Sequence, residues 1–412
     1  MVSDAREKVL LRAARRVARA VVNSNGPMTL GVYIQIPFCQ TKCTYCNFHT
    51  GVVPRDRYQP YADALCREIR ESAAHGAQPV DTVYFGGGTP SLLDPAALAR
   101  ILDALRAAHA VESPEITLEA DPETVTAEKA SAWERMGINR ISLGVQSFHD
   151  AELRSTGRLH RREDIFRATD LLRTAGLRNI SMDLIAGLPH QTAKTWEESL
   201  NQLLRLYPEH VSIYMLELDE GSRLGRESLA GGTRYSVGAI PDDDAIAGFY
   251  ESARVALAKA GYDHYEISNW GLPGFPSRHN LKYWHREPYY GAGAGAHSFD
   301  GIVRWANVHE ASRYVTLIQQ GGSVHELTET VTPLNALSEM FFLGLRLLAG
   351  VDLAWIERQC QADEILRGRW EVLRQRVDTL QRHGMIELAG DRLRIPPDRL
   401  TISNEIFLEL LG

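Results

Sequence analysis

The feature that most restricts how this chain can fold is a rhythm. Short β-branched or apolar runs recur from residue 31 onward, as GVYIQI (31–36), TVYFG (82–86), EITLEA (115–120), NRISLGV (139–145), NISMDLI (179–185) and HVSIYML (210–216). Between them, segments such as LARILDALRAAHA and TWEESLNQLLRLY space their apolar residues at the helical period. Six such β-α units within about 185 residues demand a parallel sheet, since parallel neighbours are joined only by long crossovers. Two architectures satisfy that demand, a doubly wound sheet and a full or partial α/β barrel.

The positions of the unusual residues discriminate between them. The first strand runs into a cysteine loop, the second into GGGTP (86–90), the third ends at Glu119-Ala120-Asp121 and the fourth at Gln146, while the fifth carries Asp183 ahead of GLP. In a barrel all of these strand ends surround one mouth, whereas a doubly wound sheet would gather polar residues at a single switch point. The pattern favours a barrel-like α/β arrangement with one shared site. After residue 217 the rhythm loosens. A helix is expected at 242–260, a short strand at HYEIS, and an exposed, proline-shaped loop at GLPGFPSRHNLKYW, where Pro273 and Pro276 fall. The Gly/Ala run in YYGAGAGAHSF lacks the βαβ setting of a dinucleotide fingerprint, and its small residues leave room for a flat ligand beside His297. Beyond Pro333 come helices, a long one over 364–383, and an alternating MIELAGDRLRI that turns at Ala389-Gly390-Asp391, which together read as a small α+β winged-helix-like domain. The division this implies is an N-terminal basic helical extension (1–29), a core barrel (30–240), an extension completing the core (241–330) and a C-terminal domain (331–412).

Charge and composition close off several functions. Residues 331–412 carry ten arginines and no lysine against twelve carboxylates, and the whole chain has a net charge of -7, so no basic face for nucleic acid is expected. No 18-residue uncharged apolar run is present to span a bilayer. The five cysteines are odd in number, three are packed into one loop, and no signal peptide precedes them, which points to a reducing cytoplasm rather than a disulfide framework. Residues 5–22 form an amphipathic helix with Arg6, Lys8, Arg12, Arg15, Arg16 and Arg19. Such a helix either packs along the main domain or makes weak contact with an anionic membrane surface.

The cysteine loop, PFCQTKCTYCNFHTG (37–51), places Cys39, Cys43 and Cys46 in a CxxxCxxC run. Structural zinc takes four protein ligands, usually as two pairs, and only His49 is at hand to complete a set, since Cys66 reads as a buried helical thiol and Cys360 stands alone. A 4Fe-4S cluster on three thiolates leaves one iron open to a small molecule. From the residues alone, zinc, an iron-sulfur cluster and a chance spacing all stay open.

Taken in order, CQTKCTYC, YFGGGTPSLL, EADPETV, RISLGVQSF and DLIAGLP resemble the radical S-adenosylmethionine superfamily, in the branch that holds the oxygen-independent coproporphyrinogen III dehydrogenases and the HemW-type heme chaperones. The resemblance runs over roughly residues 31–410. It implies an α/β fold with a partial (β/α)6 TIM-like barrel and a 4Fe-4S cluster held by Cys39, Cys43 and Cys46, with S-adenosylmethionine on the open iron. It further implies that Tyr33 and Tyr45 border the cluster and cofactor, that the glycine motif Gly87, Gly88 and Thr89 lets the backbone approach the methionine end, and that Glu119, Gln146, Arg158 and Asp183 contact the cofactor.

Two further matches bear on function. The dehydrogenases of this branch carry a fourth cysteine where this chain has Phe48, and HNLKYW (279–284) matches the HNxxYW motif of the chaperone group. His279 is the implied heme ligand, with Tyr283 and Trp284 as flat apolar cover, and His297 is a second candidate. The resemblance therefore implies a cytoplasmic heme chaperone that delivers heme to an acceptor protein; a membrane-bound respiratory protein is the candidate acceptor and a homodimer the candidate assembly. A coproporphyrinogen III dehydrogenase and a radical methyltransferase with a second S-adenosylmethionine are the alternatives.

Overall fold

The computed structural model describes residues 29–72, 78–361 and 363–411, so the basic helix and linker expected over 5–27 lie outside the described residues. Six parallel strands, β1 (Leu30–Ile36), β2 (Val80–Gly87), β3 (Val111–Ala120), β4 (Arg140–Gln146), β5 (Asn179–Ala186) and β6 (His210–Met215), lie side by side in chain order. The order never reverses, so there is no switch point and the barrel-like alternative is the one observed. Beyond β6 the sheet continues with β7 (Asp263–Glu266) and β8 (Asn269–Gly271) in the order β6-β8-β7. Beyond β1 it continues with β9 (Tyr289–Ala292), parallel to β1, and then with the antiparallel β10 (His297–Phe299), β11 (Val303–Asn307) and β12 (His325–Thr330). The sheet has two free ends, β12 and β7, and the barrel is partial and open.

Side-chain alternation explains why the strands read as they do. Val32, Ile34, Ile36, Val83, Phe85, Leu118, Ile141, Leu143, Met182 and Leu184 are buried against the surrounding helices. Those helices are α1 (Tyr58–Glu71), α2 (Pro95–Ala108), α3 (Ala127–Arg135), α4 (Asp150–Ser155), α5 (Arg162–Thr174) and α6 (Ala193–Leu206). Their starts are set locally: Asp94 caps α2 through Ala96 N–H with Pro95 at the first helical position, and Thr126 and Thr192 cap α3 and α6. The alternate strand positions, among them Tyr33, Tyr84, Glu119, Ser142, Asp183 and Tyr214, point the other way, into the barrel. That interior is polar and aromatic, and the polar ends found in the sequence are its upper layer.

The lower end is closed by a helix where a loop is expected. After α7 (Arg223–Leu229) and α8 (Asp243–Lys259), the HNLKYW motif folds as α9 (Arg278–Trp284), capped by Ser277 on Asn280 N–H. His279 is 1% exposed. Its Nδ1 lies 2.9 Å from Thr82 Oγ1 and its Nε2 2.9 Å from Tyr283 Oη, while its backbone N–H donates to Glu115 Oε1 at 3.1 Å. Thr82 and Glu115 belong to the N-terminal halves of β2 and β3, so the motif plugs the end of the barrel opposite the mouth. Rings then stack upward from His279 to Tyr84 (5.2 Å) and from Tyr84 to Tyr33 (6.0 Å). Burial first, and then Lys282 and Arg140, push the His279 imidazole down to about 3, so it is neutral at physiological pH.

The Gly/Ala run is likewise explained by packing. A Cβ on Gly291 would lie 2.1 Å from the His297 carbonyl oxygen, and one on Gly293, at φ +103°, would lie 2.8 Å from the Gln35 carbonyl oxygen. The small residues let the β9–β10 turn close onto β1 and Tyr61, and not a ligand, as the sequence suggests, but the chain itself fills the space they leave.

Past α10 (Ala311–Gln320), the C-terminal region holds α11 (Pro333–Gly344), α12 (Leu353–Gln361), α13 (Glu364–Arg382) and α14 (Ser403–Leu411) around a three-stranded sheet of Val351–Asp352, Arg392–Arg394 and Glu387–Ala389. The hairpin turns at Gly390, whose φ is +63°. Among the described residues no helix is long and apolar enough to cross a membrane.

His279→Ala removes a filled ring and strands Thr82 and Tyr283, so it is expected to lower unfolding free energy by about 3 kcal/mol. A shift of the urea midpoint checks this, and an unchanged midpoint would show that the plug contributes nothing to stability.

Candidate functional site

The site is assembled at the C-terminal ends of the strands, beginning with the cysteine loop. The loop is tied at its base by Cys39 N–H to Gly51 O (3.0 Å) and Gly51 N–H to Pro37 O (2.9 Å). Its far side is held by Thr44 N–H to Thr156 O (3.0 Å), Leu224 N–H to Thr44 O (2.8 Å), Thr41 Oγ1 to Gly157 O (3.0 Å) and the Arg223 guanidinium on Lys42 O. The loop is thus pinned by the turn after α4 and by α7.

Under it lies a cavity of about 490 Å3. The cavity is lined by Cys39, Cys43, Cys46 and Tyr45 of the loop, by Gly87, Gly88 and Thr89 after β2, and by Glu119, Gln146, Arg158 and Asp183. The structure therefore brings together every residue expected at the cluster and cofactor except Tyr33, while of the heme candidates His279, Tyr283, Trp284 and His297 none lines the cavity. Tyr33 lies below the mouth, its hydroxyl donating to Gln35 Oε1 at 2.7 Å, because it falls mid-strand on β1. His279 sits deeper still, with both ring nitrogens engaged, and is not presented to a ligand; this corrects the expectation of an exposed iron ligand.

The three cysteines are free thiols and form no disulfide. Burial pushes Cys39 up to about 11 and raises Cys46, so at neutral pH both are protonated; ligation by a cationic metal is what would hold them as thiolates. Gly88 shows the accommodation directly, since a Cβ there would lie 2.4 Å from Phe38 O and 3.0 Å from Cys39 Sγ. Three thiols of one loop lining an open cavity, with the Gly88 backbone packed against Cys39, suit a 4Fe-4S cluster that leaves one iron free.

Around them the charges are ordered. Arg158 Nη2 donates to Asp121 Oδ1 (2.5 Å) and Gly144 O (2.6 Å), and its Nη1 lies 3.9 Å from Cys43 Sγ. Thr89 Oγ1 donates to Asp121 Oδ2 at 3.1 Å. Glu119 accepts from Tyr84 Oη (2.9 Å) and Gly87 N–H (3.0 Å). Burial, partly offset by the Tyr84 bond and reinforced by Asp183, pushes the Glu119 carboxyl up to about 7. Asp183 accepts from Ser142 Oγ at 3.1 Å and is raised by burial as well. Gln146 reaches the cavity through a register shift after Gly144 and a left-handed backbone, φ +63°, a conformation uncommon for a side-chain-bearing residue and often kept at sites. Buried carboxylates beside the Arg158 guanidinium suit a ligand with both a cationic and an anionic end.

Sequence reasoning passed over some residues of the site. Asp121 was visible as a strand end in EADPE, but its role as the partner of Arg158 and Thr89 shows only in three dimensions. Arg346, Thr401, Ser403 and Asn404 reach the cavity from the C-terminal region and gave no local signal. Arg346 also lies 4.4 Å from the Trp284 ring, which joins the end of the HNxxYW helix to the cavity wall.

An open (β/α)6 barrel with three loop thiols over its mouth defines a radical S-adenosylmethionine protein, and residues 33–203 match the Radical SAM superfamily while residues 331–398 match the HemN C-terminal domain. The chain is 38% identical over 348 residues to the heme chaperone HemW of Synechocystis, covering 82% of each protein. It is 34% identical over 383 residues to HemW of Bacillus subtilis, covering 92% of this chain and 98% of that one. The protein belongs to the HemW family. Its fold matches the radical SAM enzyme coproporphyrinogen III oxidase, HemN, of Escherichia coli with a TM-score of 0.80 over 95% of this chain and 92% of that one, at 22% identity. Membership of the superfamily carries the 4Fe-4S cluster and S-adenosylmethionine with it.

Replacing Cys39, Cys43 and Cys46 together by Ala is expected to abolish the brown absorbance and the bound iron and sulfide of reconstituted protein, and their persistence would refute the assignment. Gly88→Ala, whose Cβ pushes Phe38 O and Cys39 Sγ away from the β2 end, should reduce cluster content while leaving far-UV circular dichroism unchanged.

Proposed function

We propose that this protein is a heme chaperone, binding heme and passing it to an acceptor protein. The observation that carries the reading is Phe48. It occupies the loop position where the dehydrogenases of the branch carry a fourth cysteine, and it is 65% exposed at the rim of the cavity, placed to meet a ligand rather than to fill the core. The likeness to proteins named heme chaperone HemW supports the same reading.

In this reading Cys39, Cys43 and Cys46 hold the cluster, and S-adenosylmethionine lies along Gly87, Gly88 and Thr89, with Tyr45, Glu119, Gln146, Arg158 and Asp183 around it. When bound, cluster and cofactor supply one-electron chemistry at the mouth. The chain's own residues orient the cofactor: Arg158, held by Asp121 and Gly144 O, offers charge to a carboxylate, and Glu119 with Asp183 offers it to a sulfonium or ammonium group. The acceptor belongs to the membrane-bound respiratory proteins and the protein works in the cytoplasm as a homodimer, while the basic segment 5–22 is expected either to pack along the main domain or to make weak contact with an anionic membrane surface. The division at 30–240, 241–330 and 331–412 is part of the same proposal.

Heme titration paired with an anaerobic coproporphyrinogen III assay, using reconstituted protein and reductant, tests the reading. Stoichiometric heme binding without porphyrinogen turnover is expected, and robust decarboxylation would overturn it.

The Glu119 carboxyl gives a pH test. Its value in the cofactor-free fold, about 7, lies above the ordinary 4.5, so the protonated form stabilises that fold at low pH and the contribution is lost as pH rises through 7. A cationic ligand needs the ionised form. Cofactor affinity should therefore rise about tenfold from roughly pH 6 to pH 8, and Glu119→Gln should flatten that rise. An equally steep profile in the variant would remove Glu119 from the cofactor contacts.

A further inference from the structure

Seven of the fourteen histidines of this protein fall into two groups. His160, His210, His264 and His279 are hydrogen-bonded within the fold. His49, His297 and His309 are exposed, and among the described residues none of the three rings makes a hydrogen bond. They come from separate parts of the chain: His49 from the cysteine loop, His297 from the start of β10, and His309 just after β11. Yet they converge. The His49 and His309 rings are 4.3 Å apart between centroids, and both lie within electrostatic reach of His297, whose protonation they disfavour after burial itself. Gly295 packs against His309, and a Cβ there would stand 3.2 Å from Nδ1, so the glycine leaves that nitrogen uncovered.

The cysteine loop contributes apolar surface beside them. Phe48, which immediately precedes His49, is 65% exposed, and Val52 is 59% exposed. Lys42 holds the same loop by donating to the carbonyls of Phe48 (3.2 Å) and Thr50 (3.3 Å) rather than to a carboxylate, which leaves its positive charge uncompensated. An imidazole nitrogen without a partner, exposed flat apolar side chains and an uncompensated cation are the three things a heme asks of a surface: an axial ligand, cover for the macrocycle and a partner for a propionate.

We propose that heme docks on the face formed by Phe48, His49, Val52, His297 and His309, with an imidazole of this cluster as the axial ligand of its iron. The assignment rests on the heme-chaperone reading and moves the ligand away from the buried His279. It also puts the cargo on the outer side of the loop whose inner side carries the three cysteines.

The test is titration of ferric heme into full-length, cluster-reconstituted protein, followed by absorbance and electron paramagnetic resonance. The variants are the triple His49→Ala, His297→Ala, His309→Ala, the single Phe48→Ser, and His383→Ala as a surface control from the C-terminal region. The triple variant should lose the histidine-ligated spectrum and bind heme on the order of tenfold more weakly or worse. Phe48→Ser should weaken binding while keeping the ligation spectrum, His383→Ala should match the unaltered protein, and iron and sulfide content should be the same in all. Unaltered affinity and spectrum in the triple variant would overturn the docking face while leaving the chaperone reading intact. Failure of the unaltered protein to bind heme at all would overturn both.

Discussion

The backbone of Gly88 lies so close to the cysteine loop that no side chain fits between them, and much of the site follows from that approach. The parallel ladder of β1 and β2 does not stop at the strand ends. It continues as Gly88 N–H to Ile36 O (2.8 Å) and Thr89 N–H to Phe38 O (2.7 Å), which fixes where Cys39 begins. Thr89 in turn holds Asp121, Asp121 holds Arg158, and Arg158 reaches Cys43. A single line of hydrogen bonds thus runs from the end of β2 through β3 and the turn after α4 back to the loop. The first and second cysteines are positioned by opposite ends of that line, so their spacing is set by the barrel and not by the loop alone.

The barrel beneath obeys a different rule from an ordinary core. Its helix-facing side chains are apolar and buried, but its interior is layered by polarity. At the bottom, His279, Tyr283, Tyr84 and Tyr33 are aromatic and uncharged, with the imidazole held neutral by burial. At the top, Glu119, Asp121 and Asp183 collect carboxylate charge opposite Arg158. Desolvation raises Glu119 and Asp183, which means that without a cationic ligand these groups are held in an unfavourable state. Arg140, buried at the start of β4, offsets part of the Asp183 demand from below, and what remains is directed at whatever enters the mouth.

This layering accounts for what was legible in the sequence. Short β-branched or apolar runs recurring between helical stretches marked the six strands, and residues at their C-terminal ends had to meet at one mouth, so Gly87, Glu119, Gln146 and Asp183 could be placed without coordinates. Tyr33 and His279 were assigned by motif to the ligand, but a motif supplies residue types and not depth. Tyr33 falls three residues short of its strand's end, and HNLKYW, read as a proline-shaped loop, has enough local helix signal after Ser277 to form α9. The Gly/Ala run misled for a related reason: small residues mark a close approach, but not what approaches. Arg346, Thr401 and Asn404 were invisible because domain packing alone brings them to the cavity.

What remains is the relation between the two sides of the cysteine loop. Its inner side turns thiols to the cavity, Phe48 stands exposed at the cavity rim, and His49 and Val52 beside it are exposed to solvent. The loop is not free to transmit any movement it likes. Thr44 is bonded to Thr156 and to Leu224, Lys42 spans Phe48 and Thr50, and Cys39 is closed onto Gly51. With its base and its middle fixed, the segment from Cys46 to Thr50 is the part with fewest outside anchors, and it carries both the third cysteine and the exposed ring of Phe48. A ligand that orders this segment from outside therefore bears on Cys46 more than on Cys39 or Cys43, and the state of the cluster and the occupancy of the outer face share one short stretch of backbone through which each can affect the other.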